Sequence, residues 1–86
     1  MSSETKNILM VARNKKVEAL RMATGLTLLD DVIRVAIVGG IDRDHPDVEL
    51  QLESLDFADV PVVDVDKSNA SELAEMMLNS DVVYVV

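Results

Sequence analysis

The sequence contains no cysteine. That removes disulfides, thiolate metal sites, iron–sulfur clusters and any cysteine nucleophile from consideration. Aromatic residues are 2% of the chain, Phe57 and Tyr84 with no tryptophan, so a core has to be built from aliphatic side chains. Glycine occurs three times and proline twice, and no repeat, low-complexity run or flexible linker is visible. Cations are scarce. Eight Lys and Arg stand against sixteen Asp and Glu, giving a net charge of −8, which argues against non-specific nucleic-acid binding. The apolar runs, such as 8–12 and 35–38, fall far short of the roughly 20 residues of a membrane span. The polar, mixed-charge start does not read as a secretory signal. The expectation is a cytoplasmic protein with neither a nucleic-acid nor a membrane partner.

What is present is a chain of 86 residues that is 49% hydrophobic, too apolar for disorder. Its length suits one small domain over 1–86, with 1–6 as a flexible N-terminal tail. Asn7-Ile8-Leu9-Met10-Val11-Ala12 is apolar almost throughout and suits a strand buried on both faces. Residues 15–29 are rich in Ala, Leu and Met and read as a helix. Ile33-Arg34-Val35-Ala36-Ile37-Val38 reads as a second strand, stopped by Gly39-Gly40. Pro46 suits the first turn of a second helix, capped by Asp44 or His45. Val48, Leu52 and Leu55 share one face of it. Pro61-Val62-Val63-Asp64-Val65 forms a third strand. A third helix, capped by Ser68 or Asn69, carries Ala70, Leu73, Ala74 and Met77 as its apolar stripe. A fourth strand covers 82–86.

The order βαβαβαβ predicts an α/β fold with a four-stranded parallel sheet. The doubly wound, flavodoxin-like strand order 2-1-3-4 puts the first strand near the centre. It leaves the first helix alone on one face and the other two helices opposite. One helix cannot cover four strands, and this helix is apolar on most sides. Leu20, Met22, Ala23, Leu26 and Leu29 are therefore the expected subunit interface, in a homo-oligomer or a hetero-oligomer with related subunits.

Charge is distributed unevenly. Residues 1–43 carry seven cations against five acids, whereas residues 44–86 carry Lys67 against eleven acids. Ligands of open α/β sheets sit beyond the carboxyl ends of the strands. There the sequence places Arg13, Asn14, Gly39, Gly40, Asp42 and Asp66, the candidate ligand-binding residues. No dinucleotide fingerprint and no phosphate-loop motif is present, and the turn after the first strand has no glycine. Lys15, Lys16 and the helix N-terminus at that turn could still attract an anion. Asp42, Asp44, Asp47, Glu49, Asp64 and Asp66 could offer oxygens to a divalent cation, but their spacing matches no EF-hand, and helix capping explains Asp44 and Asp47. His45, the one histidine, has no evident nucleophile beside it. No metal site, no cofactor and no catalytic residue is assigned; with no catalytic motif the reading leans away from an enzyme, an Asp/His hydrolase being the last alternative.

The short apolar first strand, Glu18-Ala19-Leu20-Arg21-Met22-Ala23-Thr24-Gly25-Leu26-Thr27-Leu28-Leu29, Val35-Ala36-Ile37-Val38-Gly39 and the closing Ser80-Asp81-Val82-Val83-Tyr84-Val85 together resemble the DsrE/DsrF-like family. These are small sulfur-relay subunits that include the Tus proteins of tRNA thiolation. The resemblance implies a parallel α/β sheet in an oligomer. It also implies, in active members, a persulfide-carrying cysteine after the third strand. The matching stretch here, Asp64-Val65-Asp66-Lys67-Ser68-Asn69, holds no cysteine. The resemblance therefore implies a non-catalytic scaffold subunit, an accessory in a sulfur-relay complex. The alternative is a regulatory domain that binds a small ligand or a divalent metal at the carboxyl edge.

Overall fold

The computed structural model describes residues 6–28 and 31–86. Strand β1 (Asn7–Ala12) follows from its apolar run, and all its side chains from Leu9 to Ala12 are buried. Residues 1–5 of the expected tail lie outside the described residues. Lys6 is tied to the fold: its N–H donates to Asp31 Oδ1 at 3.0 Å, and its carbonyl accepts from the Val32 N–H at 2.9 Å.

Helix α1 (Lys16–Leu26) leads to β2 (Val32–Val38), and α2 (Pro46–Phe57) leads to β3 (Val62–Val65). Then α3 (Ala70–Leu78) leads to β4 (Val82–Val85). Pro46 starts α2, where its missing N–H costs nothing, and His45 is the cap. Asn69 caps α3. All four strands are parallel, as the alternation of strands and helices requires.

The strand order is β3-β2-β1-β4, not the expected 2-1-3-4. The chain steps from β1 to β2 to β3 in one direction, so right-handed crossovers place α1 and α2 on the same face. The long return from β3 to β4 runs the other way and puts α3 opposite. The hydrophobic clusters follow this division. Ile8, Met10, Ala12, Ile33, Val35 and Ile37 pack under Ala19, Leu20 and Ala23 of α1 and Val48 and Leu55 of α2. On the other face, Leu9, Val11, Ala36, Val38 and Val65 lie under Leu73, Met76 and Met77 of α3.

This arrangement corrects the expected covering of the sheet. The thinly covered face lies under α3, none of whose side chains is fully buried, and not under α1. Leu20 and Ala23, expected at a subunit interface, have no exposed surface and belong to the chain's own core. Leu26 is half-buried against the same cluster. Met22 is 43% exposed, and Leu29 lies outside the described residues. The wide apolar surface of α1 has an internal cause, since the helix packs on the sheet and on α2 at once. Two polar contacts bind the helix pair: Thr24 Oγ1 donates to Gln51 Oε1 at 2.9 Å, and Arg21 lies 3.6 Å from Asp47. No described helix is long and apolar enough to cross a membrane.

Candidate functional site

The loop after β1 turns toward α1 on one face, and the loop after β3 turns toward α3 on the other. Diverging connections open a crevice at the carboxyl edge of a parallel sheet. Here the crevice is a cleft of about 450 Å³, within the range of small-ligand sites. Val38, Val65, Ala70 and Leu73 give it an apolar wall, and Arg13, Asn14, Asp66, Lys67 and Asn69 supply its polar groups.

Local chain chemistry fixes the backbone of the cleft and two of its polar side chains, Asp66 and Asn69. The N–H groups of Arg13 and Asn14 both donate to the Val86 carbonyl at 2.9 Å, which fixes the turn out of β1 against the end of β4. The Asp66 carboxylate accepts from the Ser68 N–H at 2.9 Å and from the Ser68 hydroxyl at 2.8 Å. These two bonds, the backbone one first, hold its pKa below the ordinary aspartate value. Asn69 Oδ1 accepts from the Glu72 N–H, and α3 opens onto the cleft with the positive end of its dipole.

The cations differ in how they are engaged. Arg21 and Arg43 are engaged by carboxylates, the latter at 2.6 Å from Asp64. Arg34 and Lys16 donate to the carbonyls of Asn79 and Gly40. Arg13 and Lys67, like Lys6 and Lys15, form no ion pair among the described residues, and of these four Arg13 and Lys67 line the cleft. The Lys67 stem crosses Gly39, where a Cβ would come within 2.6 Å of its Cε. Gly39 has φ +81°, so it provides both the left-handed turn and the space for the lysine.

The structure therefore gathers Arg13, Asn14 and Asp66 of the six candidate ligand-binding residues into one cleft. Gly39 and Gly40 line an adjoining depression shared with Asp66 and Lys67. Asp42 lines neither, because its Oδ1 accepts from the Asp44 N–H at 3.0 Å and shapes the entry to α2. His45 is likewise occupied, with Nδ1 accepting from the Asp47 N–H at 3.2 Å. Among the described residues no three His, Asp or Glu side chains are placed to hold a metal ion. Lys67 and Asn69 were not among the candidate residues. Lys67 had a signal, being the lone cation of the acidic half. The apolar wall had none, since it depends on which face α3 covers.

Comparison of the chain with protein-family models, with curated proteins and with solved structures found no match.

Proposed function

We propose that this chain is a non-enzymatic domain that binds a small anionic ligand at the carboxyl edge of its sheet. The observation that carries this reading is the pairing of Arg13 and Lys67, free of ion pairs among the described residues, across one cleft. A phosphate or carboxylate group would meet the two cations and the α3 N-terminus, and an apolar body would rest on Val38, Val65 and Leu73. The Asp66 carboxylate, charged and braced by Ser68, would select against ligands carrying charge on more than one side.

Thermal-shift measurements with a panel of phosphorylated and carboxylated metabolites test this directly. A ligand at about 100 times its Kd should stabilise the protein by about 2.7 kcal/mol. Arg13→Gln and Lys67→Gln should each reduce the shift. A flat response across the panel, or an unchanged response in both variants, counts against the reading. Mg²⁺ and Ca²⁺ should give no shift, since among the described residues no three His, Asp or Glu side chains are placed to hold a metal ion.

A second reading keeps the DsrE/DsrF-like resemblance and makes the chain a cytoplasmic accessory subunit, oligomerising in a sulfur-relay complex. The thin cover over the α3 face favours it, with Val63 and Val85 left exposed there. Light scattering after size exclusion tests it, and a monomer at high concentration with no co-purifying partner argues against it.

A further inference from the structure

Helix α2 is apolar on two sides. Its inner side, through Val48 and Leu55, is spent on the core. Its outer side carries Leu50, Ser54 and Phe57, spaced four and three residues apart on one stripe. Phe57, the chain's one phenylalanine, is 93% exposed, and Leu50 is 58% exposed. Between them Ser54 is small, and its hydroxyl is turned back to donate to the Leu50 carbonyl at 3.0 Å. The result is a shallow, open depression of about 390 Å³ on the outer side of this one helix, lined by Leu50, Glu53, Ser54, Asp56 and Phe57. It is well separated in composition from the cationic cleft.

The charge around this depression bears on what could cover it. Within Pro46–Phe57 there are four acids, Asp47, Glu49, Glu53 and Asp56, and no Lys or Arg. Asp47 is drawn toward Arg21, whereas Glu53 and Asp56 line the depression with no cation paired to them among the described residues. A second copy docked through the same face by two-fold symmetry would set these acids against their own kind. Anionic lipid and nucleic acid are repelled by the same charges. The complementary surface is apolar and basic.

We propose that the outer stripe of α2 is a docking face for a basic amphipathic helical segment of another protein. The apolar side of that segment would pack on Leu50 and Phe57, with Ser54 leaving room for an inserted side chain. Its Lys or Arg residues would face Glu53 and Asp56. This is face-to-face packing of two amphipathic helices, with an exposed aromatic as the anchor. The charged rim would speed association and make it salt-sensitive.

The test uses fluorescence anisotropy of a synthetic amphipathic helix made only of Leu, Lys and Ala, with a scrambled peptide of the same composition as control. The intact protein should bind the amphipathic peptide more tightly than the scrambled one, and added salt should weaken binding. Phe57→Ser leaves the charge unchanged and touches no core residue. It should cost about tenfold or more in affinity, the scale of an aromatic anchor. Glu53→Lys with Asp56→Lys should also weaken binding. Arg13→Gln, in the separate cleft, should leave it unchanged. Equal affinity for the scrambled peptide, unchanged binding by Phe57→Ser, or a protein that dimerises through this stripe would each overturn the proposal.

Discussion

Arg34 Nη2, on β2, donates at 3.2 Å to the backbone carbonyl of Asn79, the residue that ends α3. Helix α3 has no basic residue in its own last turn. The sheet supplies the missing cation from beneath, meeting both the free carbonyl and the negative end of the helix dipole. The bond also pins the lone helix of the thinly covered face. It has a cost, because Arg34 Nε is buried without a hydrogen-bond partner.

Replacement by Ala or by Met removes the cap and the unpaired Nε together, so the two differ only in how much of the packing stem they keep. Arg34→Ala removes the cap and the packing stem and should destabilise the fold by about 1–2 kcal/mol in urea unfolding. Arg34→Met keeps most of the stem and removes the unpaired Nε. It should cost less than about 1 kcal/mol. Equal losses for the two variants would show that packing of the stem contributes little.

Leu20 and Met22 separate core from surface on α1. Leu20→Ala should cost about 2–5 kcal/mol, because a buried leucine leaves a cavity. Met22→Ser should change stability by no more than about 0.5 kcal/mol. Denaturant melts at several protein concentrations check this. If Met22→Ser instead produced a large loss that depended on concentration, α1 would be a subunit interface after all.

The paired glycines give a finer comparison. Gly39 and Gly40 have φ +81° and +80°, so an alanine at either should cost about 1–2 kcal/mol for the backbone alone. Only at Gly39 would the new Cβ meet the Lys67 side chain. The flexible lysine can move away, so the stability losses should be similar. Ligand binding in the cleft should weaken in Gly39→Ala alone, as read by titration calorimetry.

Asp66 ties local geometry to pH. Its folded pKa lies below the ordinary aspartate value because Ser68 donates twice to it. A depressed folded pKa means the contribution is complete above the unfolded value and is lost as pH falls through the folded one. Carbon-detected NMR titration should find Asp66 ionised below the usual aspartate midpoint. Ser68→Ala should move that midpoint up. An Asp66 midpoint at or above the ordinary value in the intact protein would contradict the geometry.

Much of this fold is legible in local sequence. The apolar run of β1, Pro46 at the start of α2 and the Asn69 cap each carry their own signal. Strand order does not, because adjacency is set by how faces are covered. Even so, β2 held a clue. Ile33, Val35, Ala36 and Ile37 are buried on both faces, which suits a central strand and not the edge position first expected. Pro61 and Asp64, in turn, mark β3 as the edge. Once β2 is central, α1 and α2 must share a face, and the excess apolar surface of α1 is consumed within the chain. Arg13, Asn14 and Asp66 were legible as site residues because strand ends can be read locally. Lys67 joins them only through its path across Gly39, a contact between separate loops.

The proposed ligand site stands or falls on whether Arg13 and Lys67 hold a small anion between them. Nitrogen-15 NMR titration with inorganic phosphate and with a sugar phosphate, at low ionic strength, tests it most directly. The account predicts saturable shifts at the amides of Arg13, Asn14, Lys67, Asn69 and Ala70, weakened in Arg13→Gln and in Lys67→Gln. Shifts scattered over the surface, or the same saturable shifts in both variants, would contradict it.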